Sequence, residues 1–430
     1  MRRQRRARAK RVAFRVRVRK LVEDIRDSYW FVPGLLALVG LVLGLAAILL
    51  DVRIGDAWLG RYEWLYGTRP DGARQILATI AGSTITVAGV VFSITLAAVT
   101  YASGQYGPRL LSNFIRDRGN QVTLGVFVGT FLYCLVVLRT IRSAEEASAD
   151  RAGTVREAFV PHVAMFGALA LAILSISVLI YFVHHVTSGI HINNVIAKIG
   201  RQLLSDIRDR AAERSDLLPG PPASPLDGAV RVAADRTGYI EAIDEGVLID
   251  FAERHQLTVR LVRRAGDFMH NGRAIVEVWP REAVDPSIAQ ACNAAFAIGD
   301  RRSAQQDLRY GIDELVEIAT RALSPGVNDP FTAIACIDWL GAALSELALM
   351  RPAPDVMAGE GGEARLVADR LGFEDYLASA FGQLRPYLAG DVNARTRALA
   401  ALDEVDATLS DPRNRSLLAA ERRALRACAA

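Results

Sequence analysis

Paired cysteines are missing from this sequence. The four it has, Cys134, Cys292, Cys336 and Cys428, lie far apart and form no CxxC pair. A disulfide lattice or a zinc framework is therefore not expected, and a reducing compartment fits better. Catalytic signatures are lacking as well. There is no GxxxxGK(S/T) phosphate loop, no GxSxG nucleophile turn and no HExxH pair. No cofactor is implied, and an enzyme reading has no motif of its own to rest on.

Charge is the third absence, and it is local. Four runs hold no Asp, Glu, Lys or Arg: Phe31 to Leu50, Ile76 to Tyr101, Val122 to Leu138 and Phe159 to Val186. A spanning helix needs about 20 mostly apolar residues. One such run fits the buried helix of a soluble protein, but four in succession do not. Apolar residues make up 51% of the 430-residue chain and concentrate before residue 187, while the remainder has an ordinary soluble mixture. The expected fold class is an α-helical integral membrane domain of four transmembrane helices. A cytoplasmic α+β domain follows, built from a small β-hairpin module and a helical bundle.

The boundaries read as a basic N-terminal arm (1–30), the membrane domain (31–187), a helical stalk (188–215) and the α+β domain (216–430). The first run is too long for a cleaved signal core and no small-x-small site follows it, so it reads as a retained anchor.

Orientation follows from the basic residues beside the spans. The arm carries no acid before Glu23, and the connection between the second and third runs sets Arg109, Arg116 and Arg118 against Asp117 alone. Both segments belong on the cytoplasmic side. An even number of spans returns the C-terminal region there, so both termini are cytoplasmic. Trp30, Trp58 and Trp64 suit interfacial anchoring. The arm next to a span reads as a topology signal attracted to anionic lipid, ahead of a nucleic-acid arm, and no nucleic-acid partner is expected.

The second run has an unusual face. At alternating spacings of three and four it presents Thr79, Ser83, Thr86, Val90, Ser93, Ala97, Thr100 and Gly104. All are small and most carry a hydroxyl. Two readings stay open: close helix packing through small residues, or the wall of a polar pathway completed by homo-oligomerisation. No charged group lies inside the spans, which argues against an ion-coupled transporter and less against a passive pore. His184, His185 and His191 cluster where the fourth run ends. They read as interfacial, with a pH-sensitive role open and too few ligands for a metal.

Beyond the spans, Ile192, Val195, Ile199, Leu203 and Ile207 form an apolar stripe of helical period. "AVRVAADRTGYIEAI" alternates like strands, and "DEGVLIDFAERHQ" suits a helix. "GDFMHNGRAIVEV" has the look of a hairpin turning at Asn271-Gly272. Its shape is like that of lipoyl-type carriers, but the tip has no lysine for biotin or lipoate. From Asp285 onward the pattern is mainly helical. In "RALSPGVNDPFTA" (residues 321–333), Gly326 can end one helix in the left-handed conformation, and Asp329 with Pro330 can start the next. Ser324, Asn328, Asp329 and Thr332 are the candidate ligand loop, with Arg301, Arg302 and Asp307 as groups that could approach it. Structural punctuation is the competing reading.

Three blocks then carry a resemblance: Tyr101–Phe127, Tyr181–Leu203 and Gln305–Ala333, the last reading "QQDLRYGIDELVEIATRALSPGVNDPFTA". They resemble the predicted-membrane-protein family known as domain of unknown function 2254, over nearly the whole chain. Arg302-Ser303 and the Met269-His270 pair depart slightly from its pattern. The resemblance implies a bacterial integral membrane protein with a cytoplasmic C-terminal domain, and no activity. The expected function is thus an oligomeric passive channel or transport pathway in the bacterial cytoplasmic membrane, regulated by its soluble part. The alternative is a membrane-anchored sensor or scaffold whose cytoplasmic domain binds a small ligand or protein.

Overall fold

A computed structural model describes residues 28–54, 69–106, 117–142, 159–215, 220–221, 228–281, 286–351 and 354–428. Most of the basic arm, Trp58, Trp64 and the Arg109 and Arg116 positions fall outside the described residues. The chain divides into two compact units between His191 and Ile192.

The first unit holds four long helices: α1 (Phe31–Ile54), α2 (Pro70–Tyr106), α3 (Arg118–Leu138) and α4 (His162–Ile190). Each covers one of the uncharged runs, and each is long and apolar enough to cross a membrane. At 1.5 Å per residue the 37 residues of α2 reach about 55 Å, well past a hydrocarbon core of about 30 Å. α3 is the most enclosed of the four, packing against α1, α2 and α4. Large apolar side chains on α1 and α4, among them Leu38, Leu49, Ile173 and Ile180, point away from the bundle. This inversion of a soluble core is what hydrocarbon solvent permits.

The second unit begins with α5 (Ile192–Ser215). Its apolar stripe is buried at Val195, Ile199, Leu203 and Ile207. Two sheets follow. One has the strand order β1-β5-β3-β8-β7, and the other β4-β2-β6. The strands are β1 (Val230–Ala233), β2 (Gly238–Ile243), β3 (Thr258–Leu261), β4 (Phe268–Met269), β5 (Ala274–Trp279), β6 (Phe296–Gly299), β7 (Val356–Ala358) and β8 (Ala364–Ala368). All described pairings are antiparallel except β3 with β8. Helices α6 (Glu245–Arg254) and α7 (Pro286–Ala294) close one apolar core around Ile240, Leu248, Val259, Met269, Val276 and Cys292.

The β content exceeds the small module expected, which had strands within residues 229–243 and a hairpin at Asn271-Gly272, and that hairpin is corrected. Gly272 does turn, with φ +88°. Its flanking strands, however, join different sheets: β4 pairs with β2, and β5 with β1 and β3. The Gly272 amide donates to the Ala234 carbonyl at 3.0 Å, and the Asn271 amide to the Thr237 hydroxyl at 3.1 Å. The turn is therefore anchored to the β1–β2 connection and hands the chain from sheet to sheet.

The helical layer comprises α5, α8 (Arg309–Ala322), α9 (Pro330–Leu349), α10 (Phe373–Leu377), α11 (Gln383–Leu388), α12 (Val392–Thr408) and α13 (Pro412–Ala427), with a short π-helical stretch at Ala378–Gly382. By length and hydropathy α9 would also qualify as a membrane span. Half of its most apolar stretch is buried against protein. Gly200 of α5 lies against the Trp339 ring, and Gly341 lies against Ala401 of α12. Its outward Asp338 pairs with Arg397.

Candidate functional site

Two surfaces were singled out by the sequence, and their geometry differs. On α2 the buried face is Ala73, Leu77, Ala81, Thr84, Ala88, Val91 and Thr95. The stripe of Thr79, Ser83, Thr86, Val90, Ser93, Ala97, Thr100 and Gly104 lies opposite and is largely exposed. The three other helices of the unit therefore leave it uncovered. Four of its five hydroxyls are bonded within the helix. Thr79, Thr86, Ser93 and Thr100 each donate to the carbonyl four residues back, at 2.7, 2.8, 2.9 and 2.9 Å. Such back-bonding removes the penalty of facing hydrocarbon. What sets the face apart is its lack of bulk, since a Cβ built on Gly82, Gly89 or Gly104 meets nothing within 4 Å.

Close backbone packing does occur in this unit, at a place the sequence reading passed over. Where α1 passes α3, Gly40 lies against Gly129, Gly44 against Tyr133, and Gly125 against Leu36. A Cβ on Gly40 would stand 2.2 Å from the Gly129 carbonyl oxygen, and one on Gly129 would stand 2.8 Å from the Leu36 carbonyl oxygen. Gly40 with Gly44, and Gly125 with Gly129, have GxxxG spacing, so the signal was present in the sequence.

Two polar links were also missed. Asp51, at the end of α1, accepts from the amides of Val163 and Ala164 at 2.8 and 2.9 Å. It caps α4, whose own N-cap residue, Pro161, has no side chain able to do so. At the other end of α3, Asp117 caps its own helix through the Gly119 amide at 2.8 Å. The same carboxylate oxygen meets His185 Nε2 of α4 at 2.8 Å. Gly119 makes room for the ring, because a Cβ there would come within 2.7 Å of Nε2. Of the three histidines, then, His185 bridges two helices, while His184 and His191 are exposed.

In the second unit, the 324–332 loop keeps most of its polar groups for itself. The Ser324 hydroxyl donates to the Arg321 carbonyl at 2.6 Å. Asp329 accepts from the Thr332 amide at 3.2 Å and from the Thr332 hydroxyl at 2.6 Å, and Pro330 opens α9. The left-handed residue is Asn328, at φ +49°, and not Gly326 as expected. Asparagine tolerates that region through its short polar side chain. Here its amide also donates to the Ser324 carbonyl at 2.9 Å. Asn328 alone of the four presents an exposed side chain.

Arg302 and Asp307 do not approach this loop. They lie at the start of α8, and the loop follows its end, about 20 Å away for a 14-residue helix. Asp307, with no exposed side-chain surface, accepts from Arg302 Nη2 at 2.5 Å and from Arg309 Nε at 3.2 Å. Arg302 reaches on to Asp313 at 2.5 Å. Gly266, at φ +89°, yields the space, since a Cβ there would fall 1.9 Å from Asp307 Oδ2. Gln306 meanwhile bonds both the amide and the carbonyl of Ile243, at 2.8 and 3.0 Å, as a neighbouring strand would. The "RRSAQQDLRYGID" run is thus a clamp between the sheets and α8. The buried Cys292 thiol is held up at about 11 and that of Cys336 is raised further, so neither is a ready nucleophile.

The uncharacterized protein MT1328 of Mycobacterium tuberculosis strain CDC 1551 is 33% identical over 412 residues, which is 93% of this chain and 75% of the relative. Uncharacterized proteins Mb1321c of Mycobacterium bovis and Rv1290c of M. tuberculosis strain H37Rv are each 32% identical over the same shares. No solved structure matches significantly. A family model covers residues 26–404, and the chain belongs to the family described as "Predicted membrane protein (DUF2254)".

Proposed function

We propose that this protein crosses the bacterial cytoplasmic membrane four times, through α1 to α4, with both termini in the cytoplasm. Copies associate through the open face of α2, and a passive pathway runs along that face. The residues after His191 form a cytoplasmic α+β regulator, and the basic arm holds anionic lipid. The orientation rests on the arginines of the arm and of the 107–121 connection. The observation carrying the pathway is the stripe itself, a hydroxyl-rich face of α2 that the other three helices leave exposed.

The test is labelling of Ser83→Cys, Ser93→Cys and Thr100→Cys in the reconstituted protein. A water-soluble thiol reagent should reach all three within an assembly larger than a monomer. If they react only with a membrane-permeant reagent, the face serves packing or lipid contact and the pathway is discarded.

A second reading, the membrane-anchored sensor or scaffold, has Asn328 on its side. Its side chain is exposed at a backbone conformation that costs energy. Asn328→Gly keeps that backbone and removes the side chain. On the scaffold reading, the variant should lose a partner that the wild type retains when purified from native membranes.

A further inference from the structure

Three pairs of contacts fix the direction of the helices in the second unit. Along α5 and α9, Gly200 meets Trp339, and eight residues on Arg208 pairs with Glu346 at 2.6 Å. The two helices are parallel. Along α9 and α12, Asp338 pairs with Arg397 and Gly341 meets Ala401, so these are parallel too. Helix α8 runs the other way, because Gly311 meets Leu203 while the Gln305 carbonyl accepts from Arg210. The starts of α5, α9 and α12 and the end of α8 therefore lie at one end of the layer.

That end exposes four large apolar side chains beside polar ones such as Asn328 and Asn393. Phe331 is 78% exposed, Val392 66%, Tyr387 46% and Val327 44%. They come from three segments: the α8–α9 loop, the first turn of α9, and the α11–α12 corner. The two aspartates there, Asp329 and Asp391, are turned onto their own helix amides as caps. Clustered exposed apolar groups on a soluble surface mark an interaction site. The occupant is indicated by the chain. Ile192 begins α5 at this same end, and it follows α4 after the single residue His191.

We infer that Phe331, Val392, Tyr387 and Val327 form a membrane-contacting tip that inserts into the headgroup and upper acyl region of a leaflet. The inference rests on the reading of α4 as a span. Aromatic and aliphatic side chains at headgroup depth are favourable partners for that boundary. The opposite end of α9, where Leu349 is 69% exposed, would then face water and serves as the internal control.

The experiment uses the full chain carrying Cys428→Ser, with single nitroxide labels at Phe331→Cys, Val392→Cys, Leu349→Cys and Leu38→Cys. The protein is reconstituted in phosphatidylcholine–phosphatidylglycerol vesicles. Collisions with oxygen, which partitions into lipid, are compared with those of a water-soluble nickel chelate. Labels at 331 and 392 should meet oxygen freely and nickel several-fold less than the label at 349. Nickel access at 331 and 392 equal to that at 349 overturns the inference. So does low access to both reagents with spin–spin broadening, which would mean a second copy covers the tip. The label at 38, on the exposed side of α1, must report hydrocarbon. If it reports water, the spanning reading itself fails and the tip falls with it.

Discussion

The first unit contains two small-residue faces with opposite fates. On α1 and α3, Gly40 meets Gly129 backbone to backbone, while Gly44 lies against Tyr133 and Gly125 against Leu36 and Pro33. On α2, Gly82, Thr86, Gly89 and Ser93 have similar spacing and are left uncovered by the other described helices of the unit. Spacing alone does not distinguish them. The difference lies in what surrounds each face. α3 is enclosed on several sides, so its glycines set how near α1 can come. α2 already has a packing face, built from Ala73, Leu77, Ala81, Ala88 and Val91, and its second face is surplus to the bundle. A glycine pattern therefore reports the capacity for close approach, and the fold decides whether that capacity is used within the chain.

The sharpest way to break this comparison is to fill each face. Gly40→Leu drives a side chain into the Gly129 carbonyl and should cost at least ~3 kcal/mol, the upper end for overpacking. Loss of the monodisperse detergent-solubilised protein would show it. The next effect is the contrast. Gly89→Ala should leave the monomer intact or stabilise it by up to ~1 kcal/mol, the helix-propensity difference. The same variant should loosen the assembly if α2 pairs with another copy. Mass measurement in detergent separates the outcomes, and a drop in monomer stability would show that the α2 face is used within the chain after all.

Smaller still, Thr86→Val removes a hydroxyl bonded to the Gly82 carbonyl of its own helix. A thermal unfolding shift corresponding to less than ~0.5 kcal/mol is expected, as for surface substitutions. A large shift would mean the hydroxyl has a partner outside its own helix.

The smallest effect lies in the second unit and depends on pH. Hydrogen bonding and attraction from Arg397 hold the Glu404 carboxyl below its ordinary 4.5. A lowered carboxyl contributes stability that is complete above the unfolded value and fades as pH falls through the folded one. Below pH 4.5 the wild type should therefore lose slightly more stability than Glu404→Gln. Denaturant midpoints at about pH 7 and about pH 4 compare the two. The effect is slight because the pair is solvent-exposed.

The apolar helices were legible because an uncharged run of about 20 residues suits hydrocarbon far better than water. The Asp329–Pro330 start of α9 was legible because caps are local chemistry. β7 and β8 were not foreseen. Each is short, and β8 joins the sheet by pairing with β3 across about a hundred residues, as in Val259 with Leu366, with β7 then added on its other edge. The Asn271-Gly272 turn was read correctly as a turn and wrongly as a hairpin, because strand partners are chosen by the whole core. Gly326 lost the left-handed position to Asn328 for a comparable reason, since either residue fits and the hydrogen bonds decide. The Asp51 cap and the Asp117–His185 bridge join residues 112 and 68 positions apart, and no spacing rule announces them. Of the α2 stripe, the small residues were readable, but their exposure depends on neighbours that only the bundle supplies.

The unbroken length of α2 has a mechanical consequence. A rod nearly twice as long as the hydrocarbon layer is thick must lean or stand proud, and its angle then follows the thickness of the lipid around it. A thinner bilayer would lay the rod over, and its bare side would sweep sideways as it went.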